Sequence, residues 1–213
     1  MRTLILTALG AAALSTGLAS AQDVRELELT GFDSIRAGGG YQLVVTVGDS
    51  WSVSLDGDAD DFGEIEARVD DGQLVLSQHQ RMFRGRRGLD VTVRVSLPEI
   101  EAMDFHRGIE GEVTGIAADA LSVDVNTGAE VELSGTCGTL DVDLSTGASL
   151  QARRLECRDV DVDASTGAEG RVFASERAEV HASMGASVRV FGSPSDREAQ
   201  SSMGGEVRFD AGD

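Results

Sequence analysis

From residue 103 onward, apolar and polar positions alternate in blocks that recur in the same order. Leu121-Ser-Val-Asp-Val-Asn126 returns as Leu140-Asp-Val-Asp-Leu-Ser145, then as Val160-Asp-Val-Asp-Ala-Ser165 and Ala178-Glu-Val-His-Ala-Ser183. A period of two predicts a β-strand with one buried and one wet face. Each block runs into a glycine-centred corner: Arg107-Gly108-Ile109, Thr127-Gly128-Ala129, Thr146-Gly147-Ala148, Thr166-Gly167-Ala168, Met184-Gly185-Ala186 and Met203-Gly204-Gly205. The glycines are 20, 19, 20, 18 and 19 residues apart. A second alternating strand follows each corner, as in Ala129-Glu-Val-Glu-Leu133 and Ala186-Ser-Val-Arg-Val190. Glycine allows backbone angles that a Cβ disfavours at a tight corner, and the small residue after it fits inside the bend.

One unit of about 19 residues cannot bury its apolar face alone, but stacked units can, each strand pairing with its equivalent in the next rung. The predicted fold is therefore all-β, a single-domain parallel β-solenoid (β-helix). The competing arrangement, antiparallel hairpins in a sandwich, gives strands spaced by roughly 8 to 12 residues and no reason for each copy to keep the same side-chain order. Handedness does not follow from the pattern; a right-handed winding is the expectation. Regular rungs cover residues 101–209. Residues 22–100 read as irregular first rungs and a cap, with strands over Ile35–Ala37, Tyr41–Val47, Trp51–Leu55, Ile65–Val69, Leu74–Ser77 and Val91–Leu97. Gly38-Gly39-Gly40, Asp56-Gly57 and Asp71-Gly72 punctuate them.

The first 21 residues fit an export signal rather than part of the fold. Arg2 precedes an apolar run from Leu4 to Leu18, and Ala19-Ser20-Ala21 has the small-x-small pattern of a cleavage site. The alternative is an uncleaved N-terminal anchor. The run is short for a membrane-spanning helix, and no later stretch comes closer. The mature chain, starting at Gln22, is expected to be soluble, in a periplasm or outside the cell, with no membrane span.

Composition narrows the partners. The net charge is −19, and every basic residue other than histidine is an arginine. So acidic a chain repels nucleic acids and anionic lipid surfaces and favours neutral or cationic partners, or divalent cations. Solubility alone also accounts for such a charge. The densest positive patch is Arg81 to Arg87.

Phe32-Asp-Ser-Ile35 with the glycine-rich strand after it, and Leu97-Pro98 leading into repeats of Gly-Ala/Ser-x-apolar, resemble the putative auto-transporter adhesin family called the head GIN domain. The resemblance spans roughly Phe32 to Phe209. It implies an exported β-solenoid acting as an adhesin or binding protein, and it carries no catalytic residues. The expected partner is a protein or a glycan.

Stacking turns sequence columns into ladders. One outward column reads Asp124, Asp143, Asp163, His181; its neighbour reads Ser122, Asp141, Asp161, Glu179. Carboxylates about 4.8 Å apart on adjacent strands repel one another. They can hydrate, take up protons, or share a hard cation such as Ca²⁺; no other cofactor is expected. The column after the corner reads Glu132, Gln151, Arg171, Arg189, Arg208. This basic face suits acidic sugars, or it pairs internally with Glu169, Glu206 and Asp210. Cys137 and Cys157 fall at equivalent places in adjacent rungs, three residues before Leu140 and Val160. In an oxidising compartment they are expected to form a disulfide; two free thiols are the alternative.

Nothing here predicts an enzyme. His79, His106 and His181 belong to no metalloprotease motif, and neither a nucleophile elbow nor a phosphate-binding glycine loop is present. The working expectation is non-catalytic surface recognition or adhesion, with a glycan-binding or carbohydrate-active module as the alternative. The last rung ends near Phe209 without an obvious cap, so its edge could pair with a second chain.

Overall fold

The computed structural model describes residues 23–79 and 89–210. The expected export signal and the arginine-rich segment 81–87 lie outside these residues. Among the described residues, fifteen strands form one continuous sheet that winds into a β-solenoid of about five turns. They are β1 (Asp23–Leu27), β2 (Ser34–Gly38), β3 (Gln42–Val47), β4 (Ser52–Gly57), β5 (Ile65–Asp70), β6 (Gln73–Gln78), β7 (Val91–Leu97) and β8 (Ala102–His106). The long strands β9 (Glu110–Val125), β10 (Glu130–Leu144), β11 (Ser149–Ala164) and β12 (Glu169–Ala182) follow, then β13 (Ser187–Phe191), β14 (Asp196–Ser201) and β15 (Glu206–Phe209). Among the described residues the one helical element is a 3₁₀ turn, Phe62–Glu64.

The repeats stack in parallel and in register. Leu121 lies beside Leu140, Leu140 beside Val160, and Val160 beside Ala178. The two strands expected in each unit run together as one long strand, bent at a shift of register. In β10 the bend falls between Leu133 and Gly135 where it pairs with β9. A Cβ on Gly135 would lie 2.1 Å from the Ile116 carbonyl oxygen, so the close approach of two backbones requires glycine there.

The corners hold a feature the pattern did not reveal. Each glycine is preceded by a residue that also has positive φ: Arg107 (60°), Thr127 (53°), Thr146 (53°), Thr166 (54°), Met184 (49°) and Met203 (46°). This is a strained conformation, most of all for β-branched threonine. Hydrogen bonds between turns offset the strain. The N–H of Gly128 donates to the Thr146 carbonyl, Gly147 to Thr166 and Gly167 to Met184, each at 3.1 Å. The strand ladder thus continues around the corner instead of breaking there. The residue after the glycine, Ala129, Ala148, Ala168 or Ala186, is buried inside the bend.

In the N-terminal half the spatial order departs from chain order. β2 and β3 lie between two other rungs, pairing in parallel with β8 and β9 on one side and with β6 and β7 on the other. The chain thus lays down an inner rung, builds the outer one, and returns. Antiparallel strands cover the outer rung: β5 pairs with β6, β4 with β7, and β1 with β4. The cause is local. Asp71 (φ 46°) and Gly72 (φ 80°) make a two-residue turn, and Asp-Gly in that position favours a hairpin over a solenoid step.

The core also changes along the axis. Among the described residues, every buried Phe, Ile and Met side chain lies before residue 117, buried Leu runs on to Leu155, and the core after that is mostly Val and Ala. One inward column falls from Leu144 to Ala164 to Ala182. A disulfide joins Cys137 to Cys157 between adjacent turns, with their Cα atoms 4.5 Å apart. At the far end β14 is exposed along its length and Val207 and Phe209 are half-buried, so the final rung has no covering layer among the described residues.

Candidate functional site

Strand register builds the outward rows. Asp104 of β8 lies beside Asp124 of β9, which is followed by Asp143, Asp163 and His181 on β10 to β12. The second row runs Ser122, Asp141, Asp161, Glu179 and Glu198. Alternation points these side chains to solvent while Val123, Val142, Val162 and Val180 between them fill the core. Partial burial and neighbouring carboxylates act together on the rows. Asp124 is pushed above the usual carboxylate range by burial, then by Asp143, Asp104 and Asp141. Asp143 is raised by burial, then Asp163 and Asp141. Asp161 is raised by burial, then Glu179, Asp141 and Asp163, with His181 opposing.

The row ends in basic side chains. His181 Nδ1 lies 3.2 Å from Asp163 Oδ1 at one end. At the other, Arg36 of β2 pairs alongside Asp104, with Nε 3.2 Å from Oδ2. His106 stands beside Asp104 as well; burial lowers its pKa and Asp104 opposes the shift. Among the described residues, no group of three or more His, Cys, Asp or Glu side chains comes close enough together to hold a metal ion. The rows present a line of negative charge rather than a formed cation cage.

The column after the corner runs Glu112, Glu132, Gln151, Arg171, Arg189, Arg208 in register. Much of its positive charge is neutralised within the face. Arg189 Nε lies 3.5 Å from Asp210, and Arg208 reaches Glu206 at 2.6 Å. Arg171 donates to the Gln151 side-chain carbonyl at 2.9 Å. Arg154 reaches the acidic end of the column, pairing with Glu132 at 2.5 Å. The guanidinium of Arg153 stacks 4.5 Å from the Phe191 ring centre. A shallow pocket of about 440 Å³ lies against the acidic end, lined by Glu110, Glu112, Glu130 and Glu132. Sequence reasoning missed Asp104, Arg36 and Glu112 as members of these rows. All three sit on or beside rungs whose register is set by the irregular N-terminal half.

Fold and surface together define a class: a charge-patterned parallel β-solenoid with an antiparallel cap, whose outward rows are fixed by strand register. The chain belongs to the family described as "putative auto-transporter adhesin, head GIN domain", whose model matches residues 31–194. No curated protein matches it. A solved putative adhesin from Bacteroides fragilis superposes with a TM-score of 0.70 at 16% identity, over 90% of this chain and 98% of that one. A putative adhesin from Parabacteroides distasonis gives 0.56 at 11% identity, over 89% and 97%. A putative lipid binding protein from the same organism gives 0.51 at 12% identity, over 90% and 98%. At such identities the likeness establishes the fold.

Proposed function

We propose that this chain is an exported, non-catalytic recognition protein that holds its charged rows against a protein or glycan at a cell surface. The observation that carries this reading is the register. Asp104, Asp124, Asp143 and Asp163 stand on successive rungs, about 4.8 Å apart, on a backbone that cannot slip. A row kept at such electrostatic cost suits a cationic or multiply hydrogen-bonding partner spread along the solenoid. Export rests on Arg2, the apolar run to Leu18 and Ala19-Ser20-Ala21; cleavage after Ala21 leaves the solenoid in the periplasm or outside the cell. Among the described residues no helix is long and apolar enough to cross a membrane.

The test is saturable binding of labelled residues 22–213 to intact bacterial cells and to an immobilised glycan panel, each with Ca²⁺ and with chelator. A triple variant, Asp124→Asn with Asp143→Asn and Asp163→Asn, is expected to keep the fold and lose binding at least ~10-fold, since removing one partner of a close charge pair costs more than a factor of ten. Binding restored by Ca²⁺ would give the acidic row a cation-dependent glycan role. Absence of saturable binding to cells and glycans alike would sink the recognition reading.

A further inference from the structure

The row of aspartates continues past Arg36 onto the capped end, and there its sign reverses. Val75 of β6 lies beside Arg36, and Arg68 of β5 lies beside Val75 on its other flank. Neighbouring strands are about 4.8 Å apart, so the two arginines stand roughly 10 Å apart across a partly exposed valine. Arg107 reaches the same place from the first corner. Together with His106 and Ser77 these residues line a surface pocket of about 420 Å³.

Three guanidinium groups here meet two carboxylates. Arg36 pairs with Asp104, and Arg68 Nη1 lies 3.4 Å from Glu66 Oε1. Arg107 has no ion-pair partner among the described residues. Each guanidinium has five N–H donors, and the recorded pairs occupy few of them. The pocket is also shaped by the backbone. His106 lies across Gly38, where a Cβ would come within 2.4 Å of its Nε2. Glycine at 38 therefore lets the imidazole lie flat and form a wall.

We propose that Arg36, Arg68 and Arg107 form a binding site for one oxyanion, the carboxylate or sulfate group of an acidic sugar. Guanidinium forks match such groups with paired hydrogen bonds, and the Val75 side chain offers an apolar floor to the C–H face of a sugar ring. The charge of −19 on the whole chain selects against a densely charged polyanion, whose neighbouring groups would meet the aspartate row. A sparse acidic polysaccharide puts one anion in the pocket and neutral hydroxyls beyond it. That the anion is carried on a sugar rests on the recognition role proposed above; the anion site itself does not.

The experiment is NMR titration of ¹⁵N-labelled residues 22–213, reading the arginine Nε–Hε signals. Inorganic sulfate, a trisaccharide of one galacturonate and two galactose units, and a neutral galactose trisaccharide are the three probes. Sulfate and the singly acidic trisaccharide are expected to shift Arg36, Arg68 and Arg107 saturably, the trisaccharide at the lower concentration, and the neutral sugar to leave them unmoved. Arg107→Asn, which tolerates the corner conformation, and Arg68→Gln are each expected to weaken binding about tenfold; Arg208→Gln on the other face is expected to have no effect. Absence of saturable shifts with both anions overturns the site. Sulfate binding with no gain for the singly acidic trisaccharide overturns the sugar while the anion site stands. Glycan binding on the panel that Arg107→Asn leaves intact overturns this pocket as its seat and leaves the recognition role standing.

Discussion

The two halves of the solenoid solve the same packing problem differently. Up to Ile116 the core holds Phe, Ile, Leu and Met side chains, closed by antiparallel strands over the outer rung. From Glu130 onward the turns repeat in register, the buried Leu side chains end at Leu155 and give way to Val and Ala, and a disulfide links two of the turns. Big side chains fill an irregular interior and tolerate an out-of-order chain path. Small ones let identical turns nest, but each turn then buries less apolar surface and depends more on its neighbours. The first half should behave as the anchor and the second as a stack grown from it.

Truncation in the anchor should therefore have the largest effect. Phe105 is fully buried, and Phe105→Ala is expected to cost about 3–5 kcal/mol, enough to unfold both halves in one transition. Val180→Ala, in the thin-cored stack, should cost much less. Denaturant melts of the two variants check this. Equal losses would show that the halves contribute alike.

The disulfide comes next. It closes a loop with a sequence separation of 20, for which the chain-entropy model gives about 3 kcal/mol. Replacing both cysteines with serine should remove that amount. Amide exchange should rise in β10 to β15 and stay slow in β2, β3 and β6 to β8. Uniform acceleration throughout would mean that the two halves open as one unit.

The same division decided what could be read in advance. Leu121, Leu140, Val160 and Ala178 announced their register because each turn copies the one before it. Cys137 and Cys157 were placed side by side by the same count, and the aspartate rows followed. The N-terminal strands were visible, but their spatial order was not. Asp71-Gly72 read as punctuation, whereas its two positive φ angles make a hairpin that sends the chain to the outer rung. Non-local pairing of β2 with both β6 and β8 leaves no periodic trace in sequence. The pocket between Arg36, Arg68 and Arg107 was hidden for that reason, since strands brought together by the cap supply it.

A smaller effect concerns the corners. Thr127, Thr146 and Thr166 hold nearly the same positive φ, at a cost of roughly 1–2 kcal/mol each. Asparagine bears that conformation better. Thr146→Asn should stabilise by about 0.5–1 kcal/mol, and the same change at Thr127 or Thr166 should match it, because the corners are equivalent. Thermal melts of the three variants check this. Unequal gains would show that the regular half is less uniform than its backbone.

The smallest effect is set by the two aspartate rows, which belong almost wholly to the regular half. Asp124, Asp143 and Asp161 are raised above 3.8 in the folded chain, first by burial and then by their neighbours. A raised carboxylate binds its proton more tightly when folded than when unfolded. By linkage, these three groups weaken the fold as pH rises from about 4 through their folded values, and the loss is complete above them. Their contribution therefore runs opposite to that of a salt-bridged carboxylate, whose stabilisation is lost in acid. Solvent and salt screen partly exposed side chains, which keeps the effect small. Melting at low ionic strength should show the wild type losing stability, as pH rises from about 4 to neutrality, relative to the Asp124→Asn, Asp143→Asn, Asp161→Asn triple variant. Added salt should shrink the difference. A difference that grew toward acid pH would mean that attraction, not repulsion, governs the rows, and that their carboxylates are already paired in the folded chain.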